Sequence, residues 1–185
     1  MFHKILTVFV LLFAACALYA QKPVAAAVTD IEDDPSNGLE MCRSLFNEYF
    51  LSELTTHAKV NMLDTASTQK TIAKQKLSRG KTLSAKQISD LCKSLKTDAL
   101  CLLKMSRRGK EAINITVRIV DLNGKERGVA KASMKGIGDT DATSNELARK
   151  SAVILRRIRG INEAESQKME KQSQPQALPS TVTEI

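Results

Sequence analysis

The chain has 185 residues, 43% of them hydrophobic and 26% charged, and a formal net charge of +8. That length supports one hydrophobic core and is too short for two ordinary domains. The excess of cations favours anionic partners; because the sequence opens with a basic residue and an apolar run of the export-signal kind, lipid head groups, acidic proteins and wall polymers of a cell envelope are expected before nucleic acid.

Lys4 is followed by an apolar run from Ile5 to Leu18 with small residues at its far end. This pattern predicts a bacterial signal peptide over residues 1–20. The run falls short of the roughly 20 residues needed to cross a hydrocarbon core. Two processing sites compete. Cleavage after Ala20, before Gln21, would release a soluble periplasmic protein, whereas Phe13-Ala14-Ala15-Cys16 resembles a lipobox that would leave an acylated Cys16 as a membrane anchor. Loss of residues 1–20 removes one lysine and no acid, so the charge moves from +8 to +7.

From residue 22 to 31, around Val24 and Val28, the chain reads as a buried strand closed by the turn Glu32-Asp33-Asp34-Pro35-Ser36-Asn37-Gly38. Leu39, Cys42, Leu45, Phe46, Tyr49 and Phe50 then mark the apolar face of a first helix that runs to Leu54. Residues 58–63 read as a second strand, and Asp64 as the cap of a helix through about Leu77. Ser84 with Gln87 is a capping-box signature, and Ala85, Ile88, Leu91, Cys92 and Leu95 line one face of the third helix. Asp98 to Leu103 is almost wholly apolar, as in a strand covered on both faces. After a polar turn at Arg107-Arg108-Gly109-Lys110, Ile113, Ile115, Val117 and Ile119 alternate with polar residues.

Asn123-Gly124 suits a two-residue hairpin turn into a strand from Arg127 to Met134, so the last three strands should form an antiparallel meander. Gly136 to Asp141 reads as a flexible link, and Ser144 as the cap of a last helix with Leu147, Ala148, Ala152, Leu155 and Ile158 inward, ended by Gly160. The tail, residues 161–185, lacks an apolar period and should be disordered. The expected architecture is α/β (α+β): a single mixed sheet of about five strands, including the meander, packed by about four helices, within residues 22–160.

No chemistry-bearing motif emerges. His57 stands alone in what reads as a polar loop, and Gly136 and Gly138 lack the third glycine of a dinucleotide fingerprint. The pairs Asp33-Asp34 and Asp139-Asp141 lie in turns where Asp commonly bonds the local backbone. Asn114-Ile115-Thr116 matches a glycosylation acceptor by chance, since it falls within a strand. Neither a metal nor a cofactor is implied. Cys42, Cys92 and Cys101 read as small buried hydrophobes, with a Cys92–Cys101 disulfide as the alternative. Two basic clusters remain as candidate contacts: Arg107, Arg108 and Lys110 at a turn, together with Lys104, and Arg156 and Arg157 near the last helix terminus, where the macrodipole alone also favours cations.

The passage from Ile88 to Met105, a short helix, a Lys-Thr-Asp-Ala turn and a buried strand, resembles a recurring passage of one envelope family. The passage from Ile113 to Glu126, a strand ending in Val-Asp before a Gly-containing turn, resembles that family's next passage. With the first strand and long helix, residues 22–159 are similar to the domain shared by the curli secretion channel CsgG, the penicillin-binding-protein activator LpoB and the N-terminal domain of TolB. The chain departs from these members: it has no obvious insertion for membrane-crossing hairpins, no propeller repeats and no long N-terminal linker. The resemblance implies a non-enzymatic periplasmic domain that binds another envelope protein; an oligomerising assembly or secretion component is the alternative. The intact mass of the mature protein checks the export reading: a chain starting at Gln21 is expected for soluble release, and an acylated Cys16 for anchoring.

Overall fold

The computed structural model describes residues 24–109 and 112–158. The predicted signal segment with Cys16, Lys110, Gly160 and the tail lie outside them. The chain order is β1 (Ala25–Thr29), α1 (Glu40–Ala58), β2 (Asn61–Met62), α2 (Thr65–Lys74), α3 (Ala85–Leu95), β3 (Ala99–Arg108), β4 (Ala112–Asp121), β5 (Glu126–Met134), a 3-10 turn (Ile137–Asp139) and α4 (Thr140–Ile158). The sheet order is β2-β1-β3-β4-β5, with β1 parallel to both β2 and β3 and the other pairs antiparallel. This is the expected single mixed sheet with its meander.

Helices cover both faces. On one, Phe46, Phe50 and Leu54 of α1 and Leu147, Ala148, Ala152 and Leu155 of α4 pack on Cys101, Leu103, Met105 and the four isoleucine and valine positions 113, 115, 117 and 119. On the other, Ile72 of α2 and Ile88, Leu91, Cys92 and Leu95 of α3 pack on Ala27, Leu100, Leu102 and Val120. Successive side chains of a strand point to opposite faces, so β3, buried from Ala99 to Leu103, feeds both cores at once. Cys92 and Cys101 therefore sit in different cores and are free thiols, which excludes the disulfide. Burial pushes the Cys92 thiol up to about 11 and the Cys101 thiol up to about 12.

The start signals of α2 and α3 act as read: Asp64 accepts from Ser67 N, and Ser84 and Gln87 form a capping box. Several local expectations are corrected. The stripe of α1 is Arg43, Phe46, Phe50, Leu54 and Ala58, so it is rotated from the expected face and leaves Tyr49 exposed. The helix also runs on to Ala58, which shortens β2 to two residues and places His57 in the last helical turn, 3.2 Å from Glu53 Oε2, rather than alone in a loop. Ser144 is not a cap. The 3-10 turn runs directly into α4, which begins at Thr140, and Ser144 is a fully buried interior residue of that helix.

The β4–β5 loop is not a two-residue turn of the type expected. Asp121 N donates to Lys125 O and Gly124 N to Asp121 O, and only Gly124 in the loop has a positive φ, of 76°. A three-residue loop with glycine in the left-handed position fits this pattern, since the two-residue form needs positive φ at both residues. Glycine is required here twice over, because a Cβ on Gly124 would lie 2.5 Å from Ala85 O. Asp121 locks the loop: its carboxylate accepts from Asn123 N, Lys125 N and Arg127 Nε. Burial pushes its pKa up, but these bonds and the Arg127 charge outweigh that and hold it below the ordinary carboxylate value.

Leu102 is 1% exposed and faces the α3 core. Leu102→Asp is expected to abolish cooperative folding, since an unpaired buried carboxylate costs several kcal/mol against a total of about 5–15 kcal/mol. A thermal melt close to that of the wild type would overturn the assignment.

Candidate functional site

Of the four acids in the segment leaving β1, three are buried, Asp30, Glu32 and Asp33. Arginines from α1, from the loop before α3 and from β4 neutralise them. Asp33 Oδ2 lies 3.0 Å from Nη1 of Arg43 on α1, and its Oδ1 accepts from Met105 N of β3 at 2.7 Å. Asp30 lies 3.6 Å from Arg43 Nε and also pairs with Arg79 in the loop before α3. Glu32 accepts from Leu83 N at 2.7 Å and pairs with Arg118 of β4. Arg43 itself is 2% exposed. Its neighbour Asp34 does what turn aspartates do and accepts from Ser36 N and Oγ, which holds its pKa below the usual carboxylate value.

This cluster went unnoticed in the sequence because a charged residue was not counted in the stripe of α1. The signal was present: Arg43 falls three and four residues from Phe46 and Leu39, a core spacing, opposite an acidic run. Among the described residues no group of three or more His, Cys, Asp or Glu side chains is placed to hold a metal ion.

A groove of about 480 Å³ opens beside the cluster between α1 and α2, lined by Asp30, Arg43, Asn47, Glu48, Gln69 and Arg79 among others. It lies at the carboxyl end of β1. β1 and β2 are parallel neighbours, and the chain leaves them over opposite faces of the sheet, into α1 after β1 and into α2 and α3 after β2. A crevice of this kind forms where the connections of neighbouring parallel strands diverge to opposite faces.

A second surface lies on the meander, further along β3 than β1 reaches. β1 pairs only with Ala99 to Leu102, and α3 covers that same half of β3. The rest of the meander is uncovered on the α3 side. In register across three strands lie Lys104, Thr116 and Lys131, then Ser106, Asn114 and Ser133. Five of these, Ser106, Asn114, Thr116, Lys131 and Ser133, line one shallow concavity.

The predicted basic clusters are divided by this geometry. Arg107 and Arg108 are strand residues, not turn-tip residues, paired with Ile113 and Ala112. Being adjacent in a strand they face opposite ways. Arg108 shares the uncovered face with Lys104, while Arg107 lines a different hollow with Cys42, Ile113 and Ile137 and donates to Gly38 O at 3.4 Å. Arg156 is buried in α4 and Arg157 is exposed. Lys110 lies outside the described residues.

No protein-family model matches the sequence, and no curated protein matches it. Among solved structures the chain is similar to a lipoprotein from Neisseria meningitidis, at 21% identity over 62% of this chain and 81% of that one, with a TM-score of 0.41. It is similar to the C-terminal domain of LpoB from Escherichia coli at 10% identity over 64% and 87%, with a TM-score of 0.48. The PelC dodecamer from Paraburkholderia phytofirmans matches at 11% over 74% and 89%, with a TM-score of 0.42. LpoB, named above for the sequence resemblance, is thus among the structural neighbours.

Arg43→Met should cost about 3–5 kcal/mol, because it strands the buried Asp33 carboxylate. The urea midpoint should fall with an unchanged slope. A loss below about 1 kcal/mol, the range of exposed pairs, would mean that the cluster is solvated.

Proposed function

We propose that the chain is a periplasmic accessory domain, not an enzyme, that binds another protein of the cell envelope through the uncovered face of its meander. The N-terminal signal and the resemblance of its helix, turn and strand passages to envelope interaction domains support this reading. The observation that carries it is the charge of that face. Lys104 and Lys131 flank Thr116, roughly 10 Å apart at the usual strand spacing, with Arg108 beyond them. None of the three is held in an ion pair with a described residue. Glu146, at the edge of the concavity, is already tied to Lys150.

Like charges on one sheet face repel one another, and an acidic protein surface relieves that repulsion on docking. The flanking Ser106, Asn114, Thr116 and Ser133 offer hydrogen bonds at little entropic cost, since their side chains are short. A protein with an acidic face fits better than a nucleic acid, given the export signal.

A photoreactive residue in place of Thr116, introduced into the exported protein in cells, should form one adduct with an envelope protein. The same probe in a Lys104→Glu, Lys131→Glu background should lose that adduct while the melt stays within about 0.5 kcal/mol of wild type. Adducts only with lipid would replace the protein partner by an anionic membrane surface, and adducts only with a second copy would favour the oligomerising reading. Arg107→Ser should leave the adduct intact, because Arg107 faces the opposite way.

A further inference from the structure

We infer that the groove between α1 and α2 is a binding site for an extended peptide segment that carries a basic side chain. It is separate from the uncovered sheet face and does not depend on that reading. Three observations converge on it.

The first is position. The groove occupies the carboxyl end of β1 beside β2, where the chain leaves β1 over one face into α1 and leaves β2 over the other into α2, and open sheets bind ligands where neighbouring connections diverge. Its volume of about 480 Å³ falls in the ordinary range of ligand sites.

The second is unmet hydrogen-bonding capacity. Arg43 is fixed by Asp33 and Asp30 through Nη1 and Nε, and its Nη2 has no hydrogen-bond partner among the described residues although the side chain is 2% exposed. One turn along the same helix, Asn47 Oδ1 is also buried without a partner. Both residues line the groove. A buried polar atom normally finds a partner, so a rigid donor beside an acceptor, both unmet, is a mould for a group offering the reverse pair. One residue of an extended peptide presents C=O and N–H on the same edge, as neighbouring strands use them.

The third is charge. The groove holds Asp30, Glu40 and Glu48 against Arg43 and Arg79, and Asp33 lies behind Arg43. Glu40 and Glu48 are exposed on the rim. This surplus of carboxylates disfavours an inorganic anion and favours a Lys or Arg beside the bound backbone.

The test uses the mature chain and amide NMR, with acetyl-Ala-Lys-Ala-amide as probe. Resonances of α1 and α2 around Arg43, Asn47 and Gln69 should shift saturably at low millimolar peptide. Glu40→Gln with Glu48→Gln should weaken binding about tenfold and flatten its salt dependence. Asn47→Leu, which leaves the Arg43 ion pairs in place, should weaken it about as much without changing the melt. Lys104→Glu with Lys131→Glu should leave the titration unchanged, so that failure of this site and failure of the sheet-face reading are told apart. Inorganic phosphate moving the same resonances in place of the peptide would overturn the assignment, as would equal binding of acetyl-Ala-Ala-Ala-amide or no shift up to about 10 mM peptide.

Discussion

The ion pair of Asp33 with Arg43 is the contact on which the rest of the arrangement hangs. β1 is five residues long and β3 is ten, so past Leu102 the edge of β3 has lost its neighbour. An unpaired backbone edge inside a protein is costly. Here side chains continue the ladder that β1 cannot: Asp33 accepts from Met105 N and Asn37 Nδ2 donates to Met105 O. A carboxylate in that position must be neutralised, and Arg43 does so from the first turns of α1. One pair thus fixes the turn after β1, the entry of α1 and the upper edge of β3 together. The stacked rings of Phe46 and Phe50, 5.8 Å apart, then follow on the same stripe of α1 into the core beneath α4.

The mismatch in strand length also decides where surface is left over. The α3 core reaches only as far as β1 supports it, at Leu100 and Leu102, and beyond that point the same face of the meander carries Lys104, Ser106 and Arg108. On the opposite face α1 and α4, nineteen residues each, are long enough to cover the meander to its end, so Met105, Ile113 and Met134 stay buried. The open face therefore follows from a half-length helical layer lying on a full-length hairpin. Arg107 and Arg108 show the effect on a single step of chain: one meets the start of α1 and the other meets solvent.

How much of this the sequence discloses depends on the range of the interaction. Signals contained within a few residues were legible: the alternation of β4, the caps of α2 and α3, and the wholly apolar start of β3. What escaped is set by distant partners. Arg43 is missing from the predicted apolar stripe because its partners lie 10 and 13 residues upstream, Asp33 in the predicted turn and Asp30 near the end of the predicted strand. Ser144 had the chemistry of a cap, yet a small side chain is equally suited to a buried helix face, and the 3-10 turn ahead of it decided the matter. The Asn123-Gly124 loop took its form from Asp121 and from the approach of Ala85, neither of which a dipeptide rule includes. For the candidate surfaces, the basic residues were visible but their facing was not, since reading Arg107 and Arg108 as a turn rather than a strand hides that they diverge.

The buried charges raise a further question of cost. An apolar set of similar volume would often be as stable as a buried ion pair, so stability alone gives no reason for charge at Arg43. Geometry gives one. Asp33 is needed to satisfy Met105, which commits α1 to a buried cation, and Asp30 then sits between that cation and Arg79 on the wall of the groove. The requirement begins as backbone accounting at the edge of β3 and ends as a polar crevice with fixed donors. Removing Arg43 would therefore disturb fold and crevice together, whereas Asn47, Glu40 and Glu48 touch the crevice alone, and only substitutions there separate what the cluster holds up from what it offers to a ligand.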